Sequence, residues 1–544
     1  MSFEEKKTAG TSTSVDSKDV QQDYDNPGEP IVGQTYSLQR NFKARHIQMI
    51  CLGGCIGSGL FIATGKSLRY GGAPGMLIGY TVICTMALAV MSTMSEATVL
   101  WPTTGSFMDH AARFVDPAMG FAIGICEYIA WMTIVAAEGA VFNIIIGYWT
   151  DKVPVAAAMT IYLFVVFMIH TLPNSWFAEF EFVTAALKII AVIILILVCI
   201  AIASGAGPTG STDHAANYKS LPAFPYGFKG VCTVFPLAAW ATGGQEIMGI
   251  TAGEAHMPRW DMPRAFNSLF VRILFIYLLS VIFITVLVNY TDPLLLGTSS
   301  VAASPFVIAM KHAGISVLPD LLNVVIILGL CAIGAESLYI SSRVQTAMAG
   351  MGMMPKVFGR VDKKGRPIWS LLCTMALSAM MTYINCSSTG GVVFTWFSSI
   401  ASTVYFMAWM VISVTNWQMR KALKVQNDPA LELPYAVQSP WYPLASVYLF
   451  IMSTLMLALT GYSSMMPVGT DGINVTNFFE TFLGVPIFVV AYIGYKLVYR
   501  TKFVNPAEAD LQTGRRPLTE DDIAMLDKYY AQSVGKRALS YFHF

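Results

Sequence analysis

Among the few ionisable residues inside long apolar stretches of this 544-residue chain are Glu138 after Ala136-Ala137, Lys188 between Leu187 and Ile189, Glu246 after Gly243-Gly244-Gln245, and Glu336 after Gly334-Ala335. Charge at bilayer depth is costly and is kept where it handles an ion, lines a polar path or meets a partner. Glu138 and Glu246 can therefore carry a proton, or accept hydrogen bonds from the loose backbone of an interrupted helix; the residues themselves leave both readings open. Lys188 can trade a proton in a cycle or sit in a permanent ion pair, and Glu181, seven residues earlier, lies on nearly the same helical face. Glu127, Trp131, Ile134 and Glu138 also share one face, because eleven residues make close to three turns.

Backbone chemistry is concentrated in two places. The run Met49-Ile50-Cys51-Leu52-Gly53-Gly54-Cys55-Ile56-Gly57-Ser58-Gly59 opens the first apolar segment with four glycines and a serine. Glycine costs about 1 kcal/mol against alanine in a helix interior, so this run predicts a break at Gly57-Ser58-Gly59. A small-residue packing stripe through Gly53 and Gly57 is the alternative. Ala241-Thr242-Gly243-Gly244-Gln245-Glu246 interrupts a second apolar segment in the same manner. Amides and carbonyls freed at such breaks cannot face lipid and must line a cavity or a solute. Two interrupted segments in corresponding halves of a chain point to a transporter binding site between them.

The elements that would position these residues follow from composition. The chain is 55% hydrophobic and 12% charged, with mean hydropathy +0.56, which excludes a soluble domain and implies an all-α polytopic membrane protein. Twelve segments are long enough to cross ~30 Å of hydrocarbon. They run near 47–67, 76–99, 119–148, 154–172, 180–204, 231–252, 267–290, 320–350, 367–385, 391–417, 442–462 and 474–498. An even number puts both tails on one side, and Lys and Arg decide which. Tail-side connections carry eleven (Arg113, Arg259, Arg264, Lys356, Arg360, Lys363, Lys364, Arg366, Arg420, Lys421, Lys424) against six opposite, so both termini are expected in the cytoplasm. Glu254, Arg259 and Arg264 read as loop residues at that mouth. Asn474-Val475-Thr476 is the glycosylation pattern best placed on the outer side, and Thr519 to Asp522 reads as the capped start of a short tail helix.

Other chemistry is excluded on residue grounds. Net charge is +1 with no basic run, so no nucleic acid is implied. The nine cysteines have no CxxC or metal spacing, and the seven histidines have no zinc spacing; no metal, cofactor or enzymatic activity is expected. The Gly59 to Ser67 stretch ends Gly-Lys-Ser, but five residues separate its glycines where a phosphate loop has four. The first 45 residues are polar and show no cleavable signal pattern.

The run Leu38 to Ile50 followed by Gly57-Ser58-Gly59, together with Gly253-Glu254-Ala255, Asp292-Pro293, Ser342-Arg343 and Leu433-Pro434-Tyr435, closely resembles the fungal amino-acid permeases of the amino acid-polyamine-organocation superfamily. The likeness covers about residues 38 to 500. It implies a LeuT-like 5+5 inverted repeat: residues 46–204 (first five segments), an outer loop at 205–230, and 231–417 (next five). Two further segments then lie within 418–500, between cytoplasmic tails at 1–45 and 501–544. It also implies proton-driven amino-acid uptake at the plasma membrane by alternating access.

By the same resemblance, amides at Gly57, Ser58 and Gly59 would hold the substrate carboxylate. Carbonyls near Cys55 and Ile56 and at Trp240, Ala241, Thr242 and Gly243 would take its ammonium. Trp240 falls where related transporters carry an aromatic gate, and Lys188 matches the lysine that replaces sodium in proton-coupled relatives, with Glu138 and Glu246 as companion proton groups. Glu336 replaces what is often an uncharged residue, which would favour a cationic side chain or serve a backbone amide. The tails would be the parts reached by trafficking or ubiquitin machinery. An amine permease (choline, GABA or a polyamine) and a non-transporting nutrient receptor are the rival readings.

Overall fold

A computed structural model describes residues 48 to 537 apart from positions 50, 51, 55, 213, 256–257, 296–303, 363–364, 388–389, 434, 471, 517–518 and 534–535. The expected tail at 1–45 and Cys55 lie outside the described residues. Those described form helices and loops. Eight helices are long and apolar enough to cross a bilayer, or nine if the bent pair Val475–Phe482 and Gly484–Tyr499 (67°) is one span.

Several helices differ in extent from the expected segments. The first, α1, runs Gly59–Leu100. At ~1.5 Å per residue that is about twice the hydrocarbon thickness. It is interrupted at Gly72, whose φ of +66° and ψ of 179° are non-helical. A Cβ at Gly72 would come within 2.4 Å of the Ala223 carbonyl oxygen, so a loop presses on this point and glycine is required there. Helical structure on both sides of Gly72 thus replaces a loop between two segments. Helix α2 (Ser106–Phe114) is short and wholly buried. Helix α3 (Pro117–Ile146) begins at a proline and is capped by Asp116, which accepts from the Ala118 amide at 2.9 Å. Next come α4 (Val155–Thr171), α5 (Asn174–Ala203), α6 (Gly227–Thr242) and α7 (Ile247–Ala252).

Helix α8 (Pro258–Leu287) starts nine residues before the expected segment, because Pro258 initiates it close behind α7. The remainder are α9 (Pro305–His312), α10 (Val317–Gly350), α11 (Ile368–Tyr383), α12 (Gly390–Val425), α13 (Leu444–Met465), α14 (Val475–Phe482), α15 (Gly484–Tyr499) and α16 (Glu520–Tyr530). Thr519 and Asp522 cap α16 reciprocally, as their spacing suggested. Asn474 caps α14 and accepts from the Asn477 amide at 2.9 Å. Helices α3 and α12 are the most enclosed, and α3 packs against α2, α4, α10, α11, α12 and α15.

Polar locks tie the helices together on the face that carries residues 501–537. Glu96 of α1 is fully buried yet well served: the Arg420 guanidinium, Asn416 Nδ2 (2.8 Å) and the Ser439 amide (2.5 Å) all donate to it. Asp116 accepts from Lys496 and from Thr501 Oγ1 (2.7 Å). Arg259 and Arg264, expected in a loop, lie in α8, whereas Glu254 does sit in a turn, after α7. It is 1% exposed, accepts Tyr339 Oη (2.6 Å) and Arg343 Nε (3.1 Å), and so pins the end of α7 to α10. Removing one member of such a buried pair costs about 3–5 kcal/mol.

Residues 501–516 run as a strap over this face. The Val504 amide donates to Val115 O (2.8 Å), Arg113 Nη1 to Thr513 O (2.5 Å) and the Arg516 amide to Leu100 O (3.1 Å). Beneath it, His110 of α2 is buried, its Nε2 2.9 Å from Trp101 O. Burial pushes the imidazole down to about 4, from an ordinary value near 6.5. Between those values the unfolded chain holds a proton that the folded chain rejects, so stability falls as pH drops through that window. The melting temperature of detergent-purified protein is expected to fall from pH 7 to pH 5, and His110→Gln should flatten that slope. An unchanged slope would remove His110 as its source.

Candidate functional site

One small cavity lies where five segments converge, with about 380 Å³ of space free of protein atoms. Gly54 and Gly59 face it from the start of the chain's apolar region, Trp131, Ile134 and Glu138 from α3, Trp240, Gly243, Gly244 and Ile247 from α6 to α7, Ile333 and Glu336 from α10, and Tyr405 from α12.

Two of these segments are locally non-helical. Residues 52 and 53 are helical, Gly54 is in a turn, Gly57 is in a bend, and regular structure resumes at Ser58. In the second, α6 stops at Thr242, Gly243 is extended (ψ −173°), Gly244 has φ +85°, and α7 starts at Ile247. The Thr242 carbonyl, left without a helical partner, is taken by the Gln245 side chain. The positive φ of Gly244 explains glycine there.

The two segments touch through bare backbone. A Cβ on Gly59 would lie 2.4 Å from Ala241 Cα. One on Gly243 would meet the Tyr405 ring at 2.6 Å, and one on Gly57 would meet Ile333 Cδ1 at 2.0 Å. Gly53 behaves differently: its missing Cβ makes room for Ala185 of α5, at 2.4 Å from that Cβ, which is a helix contact of the small-residue kind. Gly53 thus packs on a neighbouring helix, while Gly57 and Gly59 lie against Ile333 and Ala241.

A hydrogen-bonded chain crosses the contact. Trp240 Nε1 donates to Ser58 Oγ (3.1 Å), and Ser58 Oγ donates to Glu138 Oε1 (2.5 Å). Helix α3 is thus bonded to one interrupted segment and, through Ser58, to the other. The second oxygen of Glu138 is buried with no hydrogen-bond partner among the described residues, as is Glu336 Oε1.

Lys188 does not line the cavity. It is 1% exposed behind Gly54, whose carbonyl oxygen lies 3.5 Å from its Nζ. Glu138, Glu181 and Glu336 all act on it electrostatically. Glu246 sits behind the second interruption, fully buried, with Trp409 Nε1 at 3.4 Å. Glu127 fixes Trp131 by accepting its indole N–H at 2.8 Å. Ile56 is buried, its amide bonded to Gly53 O (3.1 Å), and Thr242 Oγ1 returns to Ala238 O (2.8 Å); neither side chain lines the cavity.

Tyr405, Ile333 and Ile247 line the cavity without having been singled out from the sequence. An aromatic or branched side chain inside an apolar helix carries no sign of what it faces. Among the described residues no group of His, Cys, Asp and Glu could hold a metal ion.

The sequence profile of the family described as Amino acid permease matches residues 46–506. The probable amino-acid permease meu22 of Schizosaccharomyces pombe is 33% identical over 88% of this chain and 84% of its own length. The general amino-acid permease GAP2 of Candida albicans is 34% identical over 89% and 82%. The general amino-acid permease GAP1 of Saccharomyces cerevisiae is 34% identical over 92% and 84%.

Gly59→Ala should abolish uptake, because its methyl meets main chain at Ala241 that no side-chain trimming can move. Gly57→Ala should also lose activity, but the double variant with Ile333→Val, which removes the clashing Cδ1, should recover much of it. Equal tolerance of both alanines in a radiolabel uptake assay would show that the close approach does not matter.

Proposed function

The chain belongs to the amino-acid permease family, and from that premise we propose that it imports amino acids across the plasma membrane by proton symport. The observation that carries this reading is the meeting of two interrupted segments, at Gly59 and Ala241, beside a cavity that also holds a carboxyl group bonded to one of them.

In this reading the bundle has twelve spans. Gly72 divides α1 into two, α6 with α7 and α14 with α15 each make one, and the 17-residue α4 crosses at about 26 Å. Residues 46–204 and 231–417 form the inverted repeats, joined by the outer loop at 205–230, and residues 418–500 hold the two added spans. The Arg-rich strap face is cytoplasmic, with both tails on it.

The amino acid binds between the interruptions. Amides at the start of a helix have no acceptor within that helix and carry the positive end of its dipole. Those of Gly57, Ser58 and Gly59 hold the substrate carboxylate. Carbonyls around Gly54 to Ile56 and Trp240 to Gly243 receive the ammonium, and Trp240 closes over it. Rocking of the first, second, sixth and seventh spans against the rest exposes the site to each side in turn.

Proton coupling falls to Lys188 with Glu138 and Glu246. Lys188 touches the carbonyl of Gly54 at the first interruption and shares the electrostatic field of Glu138, so a change of charge on either alters the grip on that segment. A substrate that arrives between them meets a different charge balance according to whether the proton is present.

Lys188→Ala should abolish uphill uptake into vesicles while leaving substrate binding or exchange measurable; undiminished concentrative uptake would exclude it as the coupling group. Free amino acids should compete for uptake and their methyl esters should not, since an ester gives the Gly57 to Gly59 amides no carboxylate.

A further inference from the structure

The ionisable groups of the cavity wall are acids. Glu138 and Glu336 both line the cavity, and no Lys or Arg does. Each is at most 4% exposed, and each has one oxygen without a hydrogen-bond partner among the described residues. The nearest buried cation, Lys188, is shared with a third carboxylate, Glu181, which is itself fully buried with neither oxygen hydrogen-bonded among the described residues. Lys188 is thereby shared among three buried acids, Glu138, Glu181 and Glu336. Behind the second interruption Glu127 and Glu246 add two more acids, with Arg272 the cation acting on Glu246 and also on Glu336.

The rest of the wall is aromatic. Trp131, Trp240 and Tyr405 all line the cavity, and Trp131 and Tyr405 meet edge to face with ring centroids 6.3 Å apart. The indole N–H groups of both tryptophans are already engaged, by Glu127 and Ser58, so what these rings offer a ligand is their carbon surface. A carboxylate beside aromatic faces in a desolvated site is the environment that attracts an organic cation.

We propose that the preferred substrate is an amino acid with a cationic side chain, the distal positive charge held by Glu336 and the aromatic wall of Trp131 and Tyr405, while its backbone groups occupy the interruptions. This rests on the amino-acid transport reading above and sharpens it to a substrate class. Glu336 is here a specificity residue and Glu138 belongs to the backbone end, where Ser58 holds it.

The test is a competition and uptake panel in cells expressing the full chain, with lysine, arginine, agmatine, leucine and glutamate. Lysine and arginine should compete best and glutamate worst. Glu336→Gln should weaken lysine and arginine uptake roughly thirtyfold or more, the loss expected when one partner of a buried charge contact is removed. Leucine uptake by the same variant should fall much less than lysine uptake, and the amount of variant in the membrane fraction, measured by quantitative immunoblot, certifies that it is folded and delivered.

Leucine outcompeting lysine in the unaltered protein would overturn the cation preference but leave amino-acid transport standing. An equal loss for leucine and lysine in Glu336→Gln would also overturn it, by making Glu336 structural. Agmatine, which keeps the guanidinium but has no carboxylate, should compete poorly; if it matched arginine, the amino-acid reading itself would fall.

Discussion

The structure depends on how main-chain polar groups are satisfied where water is absent. An unbroken helix solves this internally, and most of the described chain does so. At two places it does not, and the exposed peptide groups are gathered at one point: Gly59 lies against Ala241 so closely that no side chain fits between them. The helices around that point supply polar atoms in turn, Ser58 to Glu138, Trp240 to Ser58, and the Gln245 side chain to the Thr242 carbonyl. Breaks of this kind are tolerated in a membrane only when protein or a polar cavity encloses them, which is why the most enclosed helices, α3 and α12, flank the site.

Much of this was legible in the residues, because the signals are ones that cost energy. Glycine where a membrane helix wants bulk, and charge where it wants none, both demand a reason, and Gly59, Glu138, Trp240, Gly243 and Glu336 do line one cavity. Signals without cost were silent. Tyr405 and Ile333 look like ordinary helix residues until the fold turns them inward. Loop length also misled: a single positive-φ glycine, Gly72, does the work expected of a connection of several residues, since a φ of +66° reorients the chain in one step. Glu254 lies in a turn, as its neighbours Gly253 and Ala255 suggested, but its burial against Arg343, 89 positions away, left no sign. No local pattern encodes a pairing at that separation.

The strap of residues 501–516 shows the same limit from the other side. Its sequence is charged and rich in turn formers, which reads as a loose tail, yet its main chain is bonded to residues 100, 113 and 115. Backbone carbonyls are identical at every position, so a segment held by them leaves no mark in composition.

Buried charge is handled in two distinct ways, and the difference separates scaffold from site. Glu96 and Asp116 are fully buried, but each gathers several donors, Arg420 and Lys496 among them, so both oxygens of each are bonded. That arrangement makes a rigid joint and leaves nothing for a ligand. Glu138, Glu246 and Glu336 are buried as deeply, yet each keeps an oxygen unbonded within the described protein. An acid in that position is costly unless a proton or a cation arrives to complete it. The completed joints lie on the strap face, and these three acids lie at or behind the meeting of the interrupted segments. The protein thus spends its strongest electrostatics on holding the frame still at one end, and leaves the centre dependent on what it carries.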